Sequence, residues 1–166
     1  MCKGCSLCIA ACPKGLLSLA EDKLKTETDE THIEMLNNIK RTFSHAPKQP
    51  CKDFVEAVIM FVMMFRVEGG DAPGHFDQYM YDFWKVTDEK EAKKYLGYLW
   101  DYFLKLGGTM NLCISGSDEN WNDISNDLTY AILEVTAEKA YRTPNLTMRC
   151  HRNTPDKLLR AAHKSI

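Results

Sequence analysis

Apolar residues recur at helical spacing at Ile33, Leu36, Ile39 and Phe43, and the proline-punctuated stretch 46–50 ends the pattern. The spacing predicts a helix of about three turns. A second helix, over about 53–67, is apolar nearly all round, so it needs neighbours on several sides. Its unbroken apolar stretch, 57–65, is nine residues between Glu56 and Arg66, whereas a bilayer crossing takes about 20. It reads as a buried helix, stopped by Gly69 and Gly70. A third helix spans about 88–106: Asp88 is placed to cap it, Glu91 to reach back, and Ala92, Leu96, Leu99, Trp100 and Phe103 form one stripe. Gly107 then supplies a left-handed C-cap.

Beyond Gly108 the period changes. Residues 110–115 are short, apolar and followed by Gly116, so they read as a strand. Ser125 is read as the cap of a helix carrying Leu128, Ile132 and Val135. Residues 145–151 alternate as a second strand, and Thr154 with Pro155 opens a last helix through Leu158, Leu159 and Ala162. Strand, helix, strand, helix implies parallel strands joined by a right-handed crossover. Two such strands cannot make a core alone, so this half reads as a βαβα piece of a larger β/α barrel or sheet. The fold class expected is α/β and mostly helical.

Composition narrows the function. With 21 basic and 23 acidic residues the net charge is -2, which offers no basic stripe for a phosphate backbone, so no nucleic-acid partner is expected. No membrane partner is expected either. Of seven cysteines, four fall within 2–12, too crowded for a disulfide framework, which points to a reducing cytoplasm. The apolar stretch 7–12 is six residues, short of the roughly 7 to 15 of a secretory signal.

Cys2, Cys5, Cys8 and Cys12, with Pro13 next, match the ferredoxin spacing C-x2-C-x2-C-x3-C-P. The two-residue gaps let three thiolates point at corners of one cubane, with Gly4 and Ser6 leaving room for the loop to wrap. Zinc is the alternative metal for such a cluster. The segment 2–13 resembles a bacterial ferredoxin's 4Fe-4S run, and the short apolar stretch 15–19 continues the likeness. In two-cluster ferredoxins the fourth cysteine serves the other cluster, and no second run exists here. The fourth ligand is then Cys12 in another geometry, or a distant thiol such as Cys51. The C-x3-C-x2-C run of radical S-adenosylmethionine enzymes is absent.

From about residue 33 onward several segments carry a second likeness, in order: PCKDFVEA at 50–57, GHFDQYMYDFW at 74–84, NLCISG at 111–116, 126–134, and PNLTMRCHRNTPDKLL at 144–159. They resemble the body of the pyruvate formate-lyase-like glycyl radical enzymes, with His75 standing where that family usually has Arg. The resemblance implies a large β/α barrel in which a glycyl radical oxidises an active-site cysteine, whose thiyl radical attacks substrate. Neither a Gly-Cys-Val/Ile-Glu loop nor an Arg-Val-x-Gly-Tyr type glycine loop occurs among these residues; both lie later in the family sequence. The resemblance therefore assigns no catalytic position.

Other chemistry-bearing residues have blander readings. Cys113 and Cys150 sit in predicted strands as small apolar residues. Cys51 opens a helix, where packing competes with fourth-ligand duty. His32, His45, His75, His151 and His163 show no i, i+4 pair and no HExxH, although Arg149 and His151 would face a barrel interior in the parent family. Asp77 and Glu56 are read as structural carboxylates near helix starts. Met60, Met63 and Met64 are core filling, Lys90, Glu91, Lys93 and Lys94 a solvated face, and 121–127 a turn feeding a cap.

The expected organisation is a truncated 4Fe-4S segment (1–20), a linker (21–31) and a partial pyruvate formate-lyase-like domain (32–166). The expected function is a partial glycyl radical enzyme body, not competent alone. The alternatives are a small iron-sulfur electron carrier, its metal ligands Cys2, Cys5, Cys8 and Cys12, or an assembly fragment. The corresponding partners are a redox protein or a full-length glycyl radical enzyme.

Overall fold

Pro13 occupies the first turn of α1 (Pro13–Leu24), where its missing N–H costs nothing, and Cys12 precedes it in extended backbone. A turn leads to α2 (Glu30–Phe43), capped by the Asp29 carboxylate, which accepts from the His32 N–H at 2.9 Å. The two helices pack on each other, and Lys40 lies 3.4 Å from Glu21 across the pair. The polar run 21–31, read above as a linker, thus comprises the end of α1, a turn and the start of α2. This is a computed structural model, and it describes residues 12–68, 72–106 and 110–165.

The helix expected over 53–67 is α3 (Phe54–Glu68). Asp53 caps it, accepting from the Glu56 N–H at 2.9 Å. Phe54, Val55, Ala57, Val58 and Met63 are buried, while Met64 is exposed, so core filling holds for Met63 and not for Met64. Within Met1–Gly69, one of two compact units, a charged cluster joins α2 to α3. Glu56 is fully buried; its Oε2 accepts from the Lys52 N–H at 2.8 Å and lies 3.1 Å from His45 Nε2, while Arg41 reaches Asp53 at 2.7 Å.

The second unit, Gly70–Ile166, contains β1 (Gly74–His75), α4 (Phe76–Tyr79), α5 (Tyr81–Lys85), α6 (Glu89–Leu106), β2 (Asn111–Ile114), α7 (Asp127–Lys139), β3 (Asn145–Met148) and α8 (Asp156–Lys164). The strands form one parallel sheet in the order β1-β2-β3. The periodicity reading found two strands; β1 makes a third. The second strand ends at Met148 rather than near 151.

Helix α6 buries the expected stripe of Ala92, Leu96, Leu99, Trp100 and Phe103, and Asp88 caps it through the Glu91 N–H at 3.1 Å. It packs on α7, which packs on α8. The cap of α7 is Asn126, not Ser125: Asn126 accepts from Thr129 N, and the Thr129 hydroxyl accepts from Asn126 N, a reciprocal pair that Ser125 is one residue too early to make. Ser125 bonds Asp123 instead.

Alternation gives the sheet two unlike faces. Leu112 and Ile114 are fully buried and pair in register with the half-buried Leu146 and Met148. Their neighbours in the strands fall on the opposite face. There the register aligns His75 with Cys113, Cys113 with Thr147, and Asn111 with Asn145. Each of these is at least partly exposed, so one face of the sheet is apolar and buried and the other is polar and open.

Candidate functional site at the ends of the parallel strands

Parallel sheets gather chemistry at the carboxyl ends of their strands, because the loops there can vary without disturbing the ladder. Here three strand ends meet. β2 leaves through Ser115, in the left-handed region at φ 61, and Gly116 at φ 129, a value suited to glycine. Asp77, fully buried just after β1, holds this exit: its Oδ2 accepts from the Ser115 N–H at 2.8 Å and the Thr129 hydroxyl at 2.6 Å. Asn126 Nδ2 donates to the Asp77 carbonyl at 3.0 Å, and Gln78 donates to the Ile124 carbonyl at 3.0 Å.

The loop between β2 and α7 is tied to the loop after β3. His151 Nε2 lies 3.3 Å from Asp123 Oδ1, Asn153 donates to the Trp121 carbonyl at 2.9 Å, and the Arg152 guanidinium stands 5.4 Å from the Trp121 ring centre. Asp118 folds the tip of the first loop by accepting from Asn120 N and Asn122 N. These bonds make the strand-end surface a fixed platform.

Two side chains converge on Gly116. A Cβ built there would meet His75 Cε1 at 3.6 Å and Arg149 Cβ at 3.7 Å. Among the described residues the Arg149 guanidinium has no hydrogen-bond or ion-pair partner, and Arg149 is exposed. His75 Nδ1, Asp77 Oδ1 and Ser115 Oγ are buried polar atoms without a hydrogen bond. Arg149 and His151 were named from sequence, and Gly116 only as the end of a strand; Ser115 and Asp123 were not singled out, because their roles rest on tertiary bonds.

The cysteines are placed as follows. Cys2, Cys5 and Cys8 lie outside the described residues. Cys12 is exposed at the start of α1. Cys51 is half-buried, and burial first, then the negative charges of Glu56 and Asp53, pushes its thiol up. Cys113 lies within β2 as expected, whereas Cys150 is exposed beyond the end of β3. Among the described residues no three His, Cys, Asp or Glu side chains stand close enough to hold a metal ion, and no helix is long and apolar enough to cross a membrane.

The model of the pyruvate formate lyase-like family matches residues 2–166. The chain belongs to this family. Among its relatives, an isethionate sulfite-lyase of Bilophila wadsworthia is 32% identical over 145 residues, covering 69% of this chain and 17% of that protein. That of Desulfovibrio desulfuricans is 28% identical over 85% of this chain and 20% of its own length. The solved glycyl radical enzyme of Archaeoglobus fulgidus aligns with a TM-score of 0.79 and 26% identity over 95% of this chain and 24% of that one. The B12-independent glycerol dehydratase of Clostridium butyricum shares the fold, with a TM-score of 0.82 at 22% identity over 96% of this chain and 23% of that one. The chain therefore spans about a fifth of the length of these relatives. The mostly helical α/β architecture expected from sequence is the observed one, and it is similar to a segment of the Archaeoglobus fulgidus glycyl radical enzyme.

Proposed function

We propose that this chain is part of the body of a glycyl radical enzyme of the lyase class, forming a stretch of barrel wall rather than a complete catalyst. The observation that carries the reading is a family match running through 2–166 in a sequence with neither the cysteine loop nor the glycine loop of that chemistry. The polar sheet face and the tied strand-end loops are what a wall facing a reaction chamber requires: fixed polar groups on one side, packing on the other. Without the family's cysteine loop and glycine loop, these 166 residues have no matched pair of thiol and radical glycine to exchange a hydrogen atom, so in this reading they do not turn over by themselves. A full-length relative is the partner with which such a segment would complete a barrel.

The test is electron paramagnetic resonance of the purified chain after anaerobic treatment with a glycyl-radical activase. The expected result is no protein-centred organic radical and no substrate conversion. A radical with turnover overturns the reading.

The spacing of Cys2, Cys5, Cys8 and Cys12 supports a second reading, in which these thiolates hold a 4Fe-4S cluster and the chain is a small cytoplasmic electron carrier docking a redox partner. Iron and sulfide per chain after anaerobic reconstitution decide it. A brown protein that loses its colour in Cys5→Ser supports it; colourless protein ends it.

A further inference from the structure

We propose that Arg149 and His75 together bind an oxyanion, a carboxylate or sulfonate group, at the carboxyl ends of β1, β2 and β3. This rests on the reading of that surface as a chamber wall and names the class of group it takes. Most charged groups at this surface already have partners. Asp123 is engaged by His151 and Ser125, Asp118 by the amides of its own turn, and Asp77 by the Ser115 amide and the Thr129 hydroxyl at the start of α7. Arg152 is laid over the Trp121 ring.

Arg149 is different. Its guanidinium carries no partner among the described residues, and its stem and the His75 ring both lie within 4 Å of the point where a Gly116 side chain would begin. A guanidinium offers paired N–H donors matched to a two-oxygen anion, and an imidazole N–H beside it supplies a third. Asp77 is the nearest acidic group in sequence; it is fully buried and its Oδ2 faces the start of α7, where the helix N-terminus offsets its charge. The neighbouring loops are cross-tied, so the two residues are presented on a framework that need not reorganise to bind.

The experiment is a nuclear magnetic resonance titration of the full chain with sodium acetate and, separately, sodium methanesulfonate, at constant ionic strength against sodium chloride. Saturable shifts centred on Gly116, the His75 ring and the Arg149 side chain are expected, and whichever anion saturates at lower concentration identifies the group. Arg149→Met should weaken binding by about tenfold or more, the loss of a charged hydrogen bond, whereas Arg152→Met should leave it within about twofold. Shifts that match chloride, or binding that survives Arg149→Met, overturn the proposal. Neither result depends on radical formation, so the chamber-wall reading stands or falls separately by paramagnetic resonance.

Discussion

Asp77 is fully buried, and its Oδ2 serves two groups from distant parts of the chain, the Ser115 N–H and the Thr129 hydroxyl. Both bonds go to a carboxylate shielded from water, where each is worth about 1.5–3 kcal/mol. Asp77→Ala leaves the Ser115 amide unpaired at a left-handed turn, and we expect a loss of roughly 3 kcal/mol or more in urea unfolding of the full chain. Asp77→Asn keeps an acceptor and should lose clearly less. From sequence Asp77 was legible as a structural carboxylate near a helix start, but not its partners, because they lie 38 and 52 residues away. Glu56 was legible in the same partial way: it does accept from the Lys52 amide just before α3, while its pairing with His45 needed the packing of α2 against α3.

At the scale of elements, legibility followed length. Helices α3 and α6 were readable because 15 and 18 residues give several turns of pattern. β1, with two residues, and α4 and α5, with four and five, are too short to show any period. The cap of α7 was misplaced by one position since Ser125 and Asn126 are both good caps, and only the Thr129 hydroxyl three residues on selects between them. The other end of α7 carries strain: Ala140 sits at φ 49, left-handed, where glycine has no Cβ conflict. Ala140→Gly should stabilise the chain by about 0.5–1 kcal/mol, the relief of that conflict less glycine's extra unfolded-state freedom. Thermal unfolding measures it, and a fall in midpoint would contradict it.

Taken as a whole, the chain has the fold of a segment of a much longer enzyme, at TM-scores of 0.79 and 0.82 to chains about four times its length. The sequence announced this through the order of its short motifs, not through any one of them, since each is mostly turn and core chemistry. The oxyanion position stayed hidden, because it depends on a strand two residues long bringing His75 beside Gly116. Among the described residues β3 is an edge strand of the sheet. The Asn145 and Arg149 amides donate to the carbonyls of Met110, just before β2, and Ile114, at its end, so the alternation of a parallel ladder turns the peptide groups of Leu146 and Met148 outward. A row of uncommitted donors and acceptors is a template for any passing strand. Light scattering should accordingly rise with concentration in purified samples, and a lysine at position 147, through Thr147→Lys, should suppress that rise by placing charge on the rim.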